Sequence, residues 1–357
     1  MQNSILRKKT RTAVVGNVKI GGENPISIQS MTITKTADVE STVAQLRRFE
    51  EAGCEIIRIT VNDQAAAQGF EKIVKQTRLP VVADIHFDYK MALAAIKAGA
   101  AKIRINPGNI GAFKRTKEVV EAAKAAGIAI RVGVNSGSLQ KDLLEKYGRP
   151  TPEALAESAI RYAEMMDDLN FTNLILSIKS SDAISTIAAC EILSSKTDIP
   201  QHIGITESGT IKTGTIKSAA GLGAILSRGI GDTVRVSLSG DPVEEIGVAR
   251  EILKSLGLRG GPVVIACPTC GRTQIDLAGL AEKIECKLKN IKEDITVAVM
   301  GCVVNGPGEA KEADVGVAGG IGEGLLFVKG ETVKKVPENM IIDELFVLIN
   351  DFLSKSK

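Results

Sequence analysis

VVADIHFDYKMALAAIKAGAAKIRIN, running from Val81 to Asn106, contains one full repeat of the pattern that organises most of this 357-residue chain. A short β-branched run at 81–85 reads as a strand. The stretch 88–98 opens on Asp88 and carries its apolar residues at helical spacing. Gly99 stands where a helix C′ residue belongs, and a second short apolar run at 102–106 follows directly. Outward from this unit, the same alternation predicts strands over 28–31, 56–60, 128–134, 174–180, 202–207 and 233–239. Helices are predicted between them, among them 38–52, 112–126, 152–169 and 242–256. Gly53, Gly127, Gly229 and Gly257 mark helix ends as Gly99 does. Eight strand–helix units in succession argue for a (β/α)8 barrel. The alternative, an open doubly wound sheet, calls for a glycine fingerprint after its first strand, and that region has none. Residues 12–15 and 18–20 are expected to form a hairpin closing the barrel bottom.

Gly257-Leu-Arg-Gly-Gly-Pro262 reads as a boundary. It separates a barrel domain, residues 1–258, from a smaller α/β domain, residues 259–357. In the second domain we expect a strand at 263–266, a helix at 276–289, a strand at 296–300, a glycine-rich stretch at 316–330 and a last helix at 339–354.

Bulk composition excludes several classes. Hydrophobic residues make up 44% and charged residues 24%, and the net charge of +3 does not point to a nucleic-acid partner. Trp is absent and only three Tyr are present, which argues against an aromatic stacking platform. The basic cluster Arg7, Lys8, Lys9 and Arg11 has no apolar core behind it and reads as a solvated end, not a signal peptide. No apolar run approaches a membrane span. Six cysteines in a chain of this length do not make a secreted disulfide framework, so a cytoplasmic location is expected.

The predicted strands share an unusual feature. Arg58, Arg104, Arg131 and Arg235 each lie between β-branched neighbours. Side chains alternate along a strand, so if those neighbours pack on the helices, each Arg points into the barrel. Lys179 adds a fifth cation. Buried charge is costly unless compensated. One compensation is an internal ion network with Asp84 and Glu207. Two carboxylates do not neutralise five cations, which favours an anionic ligand, and Arg forks with Asn106, Asn135 and Ser237 at strand ends suit a phosphate or diphosphate. His86 lies at the C-terminal end of its strand, where barrel active sites sit. His202 opens a strand at the opposite end and reads as structural. Glu207 suits either proton transfer or a salt bridge.

Three cysteines form the pattern C-x2-C-x31-C: Cys267 and Cys270 in Cys-Pro-Thr-Cys, and Cys302 in the next motif. The spacing is compatible with zinc, with a redox dithiol, or with an iron–sulfur cluster short of one cysteine. A zinc ribbon needs a second C-x2-C pair, which is missing. Glu309 is an available oxygen donor. Cys54, Cys190 and Cys286 stand alone and are expected to be buried or half-buried thiols.

The chain resembles the 4-hydroxy-3-methylbut-2-enyl diphosphate synthases of the two-domain bacterial form. The resemblance is carried by Gln29-Ser-Met-Thr32, Val82-Ala-Asp-Ile-His-Phe-Asp88, Arg104-Ile-Asn-Pro-Gly-Asn-Ile110, Gly133-Val-Asn-Ser-Gly-Ser138, Gly204-Ile-Thr-Glu207, Cys267-Pro-Thr-Cys270 and Gly301-Cys-Val-Val-Asn-Gly-Pro-Gly-Glu309. Ile33 and Ser208 depart from the family's usual Asn and Ala. The resemblance implies an iron–sulfur oxidoreductase of the methylerythritol phosphate route, with a [4Fe–4S] cluster held by Cys267, Cys270, Cys302 and Glu309. It implies reductive opening of 2-C-methyl-D-erythritol 2,4-cyclodiphosphate, with Glu207 and Glu309 as catalytic groups and flavodoxin or ferredoxin as electron donor. The substrate would be bound by Arg58, His86, Arg104, Asn106, Arg131, Asn135, Lys179, Arg235 and Ser237. It further implies a homodimer in which the cluster domain of one chain caps the barrel of the other.

Overall fold

The structure is a computed structural model that describes residues 5–110, 113–302 and 310–355. The chain forms two compact units, Met1–Arg259 and Gly260–Lys357.

The first unit is the expected barrel. Beneath it lies a hairpin of β1 (Ala13–Val15) and β2 (Val18–Ile20). Its eight strands are β3 (Ser27–Met31), β4 (Ile56–Thr60), β5 (Val81–Asp84), β6 (Lys102–Ile105), β7 (Ala129–Asn135), β8 (Leu174–Lys179), β9 (His202–Ile203) and β10 (Thr233–Val234). All neighbouring pairs are parallel, in the order β8-β7-β6-β5-β4-β3-β10-β9. A parallel bridge between Leu176 and Gln201 brings β9 back to β8 and closes the ring. The last two strands are shorter than expected. Beyond Ile203 the chain runs through Gly204, Ser208 and Gly209, residues with little to pack on a pleated surface.

The helices between the strands are α1 (Val39–Glu51), α2 (Gln64–Val74), α3 (Tyr89–Lys97), α4 (Pro107–Ile110), α5 (Phe113–Ala126), α6 (Lys141–Tyr147), α7 (Pro152–Asp168), α8 (Ala183–Lys196), α9 (Ile211–Leu226) and α10 (Glu244–Ser255). Several start on an acidic cap: Asp38, Asp63, Asp88 and Asp182 each accept a backbone N–H from the first turn of their helix. Gly53, Gly99, Gly127, Gly229 and Gly257 all have positive φ, the left-handed C′ geometry their positions predict.

Strand alternation sorts two populations of side chains. Ile57, Ile59, Ala83, Ile103, Ile105, Ile130, Val132, Leu174 and Leu176 face outward and join Leu46, Phe49, Phe70 and Ile73 of the helices in one core. The opposite set faces inward. At the bottom, Ile56, Val82, Ala129 and Ile175 pack on Ala13, Val15 and Ile20 of the hairpin, which seals the barrel floor with apolar contacts.

The second unit is a five-stranded mixed sheet: β11 (Val263–Ala266), β12 (Thr296–Met300), β13 (Val315–Gly320), β14 (Glu323–Val328) and β15 (Glu331–Pro337), in that order. The first three strands are parallel and the last three antiparallel. Helices α11 (Leu277–Leu288) and α12 (Ile341–Lys355) pack on it through Ile284, Leu288, Leu345 and Ile349. The glycine-rich stretch at 316–330 is two strands with a tight turn. A side chain on Gly316 would lie 2.3 Å from the Phe327 ring, and one on Gly324 would lie 2.7 Å from Ile341. These glycines make room for large neighbours, which is why a strand here is poor in β-branched residues.

Candidate active site

The inward side chains of the barrel above its apolar floor are predominantly polar. Asp84 is 2% exposed and meets Arg104 Nη1 at 3.2 Å, Arg58 Nε at 3.5 Å and His86 Nε2 at 3.6 Å. Burial alone would raise its pKa, but Arg58, Arg104, His86 and Arg131 outweigh that and hold it at about 2. Arg58 gains less from the contact. Burial, Arg235 and Arg104 push it down to about 10 in spite of Asp84. At neutral pH the arginine stays protonated and the carboxylate ionised.

A second buried carboxylate meets the inward cations, and strand alternation gave no sign of it. Glu245, in the first turn of α10, is 2% exposed and meets Arg235 Nε at 3.3 Å. The expected internal network therefore differs in one member. Its acids are Asp84 and Glu245, while Glu207 is exposed and makes no ion pair among the described residues. Glu207 follows β9 at the barrel mouth with φ of 52°, a left-handed conformation costing a non-glycine residue roughly 1–2 kcal/mol. Such strain concentrates at functional positions.

Met31 lies between the two arginine groups. Its Sδ accepts from Arg58 Nε at 3.1 Å and Nη2 at 2.8 Å, and Arg235 Nη1 is 3.7 Å away. Lys102 is fully buried and donates to Gln29 Oε1 at 3.2 Å. The sequence reading passed over Lys102, although its i, i+2 spacing from Arg104 on the same strand is a signal that could have found it.

Other inward cations form no ion pair among the described residues. Arg131 is 1% exposed, and its Nε and Nη1 have no hydrogen-bond partner. Burial, then repulsion from Arg58 and Arg104, pulls its pKa well below the ordinary range. Lys179 is displaced downward in the same way, by burial and then by Arg131 and Arg235. His202 is fully buried with both ring nitrogens unpartnered. Burial and the surrounding cations hold it far below the usual imidazole range, so it is neutral. Among the described residues, the acids that Arg58, Lys102, Arg104, Arg131, Lys179 and Arg235 face are thus Asp84 and Glu245. The interior is under-neutralised, and an anion entering it would relieve that deficit.

The remaining site residues flank this cage. Asn106 is 2% exposed, donates to Ser138 Oγ at 2.7 Å and accepts from Gly108 N at 3.1 Å. Asn135 ends β7 directly opposite Lys179, and Ser237 follows β10 half-buried. Gly204 allows close packing: a Cβ there would lie 2.6 Å from Lys179 Nζ and 2.4 Å from the Arg235 carbonyl.

In the second unit the cysteines lie at one end of the sheet. β11 and β12 run parallel, so the residues after each strand emerge together, and Gly301 N donates to Cys267 Sγ at 3.2 Å. Cys302 is buried and Cys270 exposed. The Cys270 thiol is lowered, chiefly by the backbone N–H of Arg272. All six cysteines are free. Thiols receiving backbone N–H bonds suit a soft metal or an iron–sulfur group. Among the described residues no three His, Cys, Asp or Glu groups are close enough to hold a metal ion. Glu309, the expected fourth ligand, lies outside the described residues, as does most of its motif. Of the three isolated cysteines, Cys54 and Cys190 are buried as expected, but Cys286 is exposed. It lies two residues past Ile284 on α11, off the face that buries Leu277, Leu280, Ile284 and Leu288.

Comparison with known proteins gives a consistent answer. The GcpE TIM-barrel domain matches residues 10–250, and the GcpE C-terminal domain matches residues 263–351. The chain belongs to the GcpE family. One relative, from Clostridium perfringens, is 55% identical over 344 residues, covering 96% of this chain and 99% of its own length. Another, from Anoxybacillus flavithermus, is 54% identical over 362 residues and covers both chains completely. Both are named 4-hydroxy-3-methylbut-2-en-1-yl diphosphate synthase (flavodoxin). Among solved structures, an N-acetylneuraminic acid synthetase from Leptospira borgpetersenii superposes with a TM-score of 0.50 at 13% identity, covering 78% of this chain and 96% of its own. That likeness concerns the fold alone. No helix among the described residues is long and apolar enough to cross a membrane.

Proposed function

We propose that this GcpE-family chain binds 2-C-methyl-D-erythritol 2,4-cyclodiphosphate in the barrel and converts it to (E)-4-hydroxy-3-methylbut-2-enyl diphosphate with two electrons from flavodoxin. The observation that carries the reading is the under-neutralised cage: six inward-facing bases, three of them buried and three partly buried, against two carboxylates, in a chain 54–55% identical over nearly its whole length to synthases of that name.

The chemistry fits the charge. Two electrons and one proton enter, a carbon–oxygen bond to the ring phosphate and another to a hydroxyl break, and water leaves. A dianionic cyclic diphosphate becomes a trianionic linear one, so a cage with excess positive charge favours the opened form over the closed one. Arg58, Arg104, Arg131, Lys179 and Arg235 would grip the diphosphate, with forks preset by Asp84, Glu245 and Met31. His86, Asn106, Asn135 and Ser237 would orient the carbon skeleton from the rim. Glu207, at the mouth, would handle the proton that leaves with the hydroxyl.

Cys267, Cys270, Cys302 and Glu309 would hold a [4Fe–4S] cluster. When bound, that group supplies low-potential electrons at the leaving oxygen. Ferredoxin is the alternative carrier. We place the protein in the cytoplasm as a homodimer. Exposed apolar residues support the second assignment: Ile33, Phe87, Phe113, Ile184 and Ile211 all follow barrel strands at the mouth, where a second copy's smaller domain would cover them.

Anaerobic reconstitution with iron and sulfide tests this reading. We expect a brown protein with about four irons per chain that turns over the cyclodiphosphate with reduced flavodoxin. A colourless protein holding one zinc and inert toward the cyclodiphosphate would overturn it.

A further inference from the structure

The floor and walls of the cage use residues that strand alternation accounts for. Glu245 does not belong to a strand at all, yet it is the most connected acid in the interior. It comes from the first turn of α10, where the helix dipole favours a carboxylate. Its Oε2 accepts from Ser30 Oγ at 2.8 Å and from Arg235 Nε at 3.3 Å. Its Oε1 accepts from Leu238 N at 3.1 Å and lies 3.5 Å from Arg235 Nη2. One buried carboxylate thereby ties together β3, through Ser30, the end of β10, through Arg235, and the segment carrying Ser237, through the backbone of its neighbour Leu238.

The arrangement divides the Arg235 guanidinium in two. Nε and Nη2 are committed to Glu245. Nη1 makes no hydrogen bond to an oxygen among the described residues; its contact is Met31 Sδ at 3.7 Å. An unanchored arginine samples several rotamers and pays that entropy when it binds. An arginine held along one edge presents its other edge already aimed.

We propose that Glu245 is a positioning residue for the anion site: it anchors Arg235 along one edge so that Nη1 meets the diphosphate, and it fixes the Ser237–Leu238 backbone beside it. This rests on the reading of the barrel as a diphosphate site.

Glu245→Gln tests it. The amide keeps the size and one acceptor oxygen but removes the charge that aligns the guanidinium. Binding of inorganic diphosphate is measured calorimetrically, and kcat and KM for the cyclodiphosphate are measured on the reconstituted protein. We expect Kd and KM to rise at least tenfold, with a smaller change in kcat. In an Arg235→Ala background the same substitution should change Kd no more than about threefold, because the route through Arg235 is gone and only the Ser237–Leu238 backbone still links Glu245 to the ligand. Equal losses in both backgrounds, or none in either, would overturn the assignment. If Glu245→Gln fails to fold, Ser30→Ala removes only the hydroxyl that orients Oε2. It should raise Kd threefold or more with Arg235 present and leave it unchanged with Arg235→Ala, and any other pattern counts against the inference. Failure of the underlying reading looks different: the wild-type protein itself would neither bind inorganic diphosphate nor turn over the cyclodiphosphate.

Discussion

Replacing Asp84 by Asn removes one of the two carboxylates paired with the inward arginines and leaves the side chain's shape nearly unchanged. Asp84 lies 3.2 Å from Arg104 and 3.5 Å from Arg58, almost fully buried. The difference between its ordinary 3.8 and about 2 in the folded protein corresponds to about 2.5 kcal/mol in favour of the ionised native form. That contribution is lost in the variant, and two arginines then face no acid. At roughly 2–4 °C per kcal/mol for a domain of this size, the melting temperature should fall by roughly 5–10 °C at pH 7. The pH dependence follows from the sign. A carboxylate whose folded pKa is depressed stabilises the protein fully above its unfolded value, and the contribution disappears as pH falls through the folded one. The gap between wild type and Asp84→Asn should therefore be full at pH 5–7, narrow from about 3.8 downward and close near 2. Thermal unfolding followed by circular dichroism, with urea titrations at acid pH, measures both. Equal melting temperatures at pH 7, or a gap that persists into strong acid, would refute the claim that Asp84 is the stabilising centre of the cation cluster.

Three further outcomes are expected. Arg104→Ala removes a fork contact beside Asp84 and should raise KM for the cyclodiphosphate by at least tenfold, read from initial rates; an unchanged KM would exclude Arg104 from the site. Gly204→Ala puts a methyl group 2.6 Å from Lys179 Nζ and 2.4 Å from the Arg235 carbonyl, so it should weaken inorganic diphosphate binding while Asn-rim substitutions such as Asn135→Ala do so less; calorimetry ranks them. Cys302→Ser should leave the barrel's unfolding transition in place while abolishing the iron chromophore and turnover, and a brown, active variant would remove Cys302 from the ligand set.

Much of the barrel was legible because its two inputs are local. Outward residues such as Ile57, Ile103 and Ile130 repeat every second position, and the helices carry Asp caps and terminal glycines, so eight units could be counted along the chain. Alternation likewise made Arg58, Arg104, Arg131 and Arg235 inward-facing. Lys102 obeys the same rule. What resisted reading was glycine and length. Strands β13 and β14 contain Gly316, Gly319, Gly320 and Gly324, which suggest a loop until Phe327 and Ile341 are seen filling the space beside them. β9 and β10 form regular pairs over only two residues each, although the sequence continues in an extended style.

The residue pattern by itself determined the barrel, the smaller α/β unit, the inward arginines and the paired cysteine motifs, because periodicity and spacing are properties of neighbours along the chain. Tertiary structure alone decided which acids answer those cations. Glu245 reaches Arg235 from a helix, and Glu207, close to the strands in sequence, stays exposed at the mouth. A charge partner is selected by distance in the folded barrel, and no local periodicity encodes that distance.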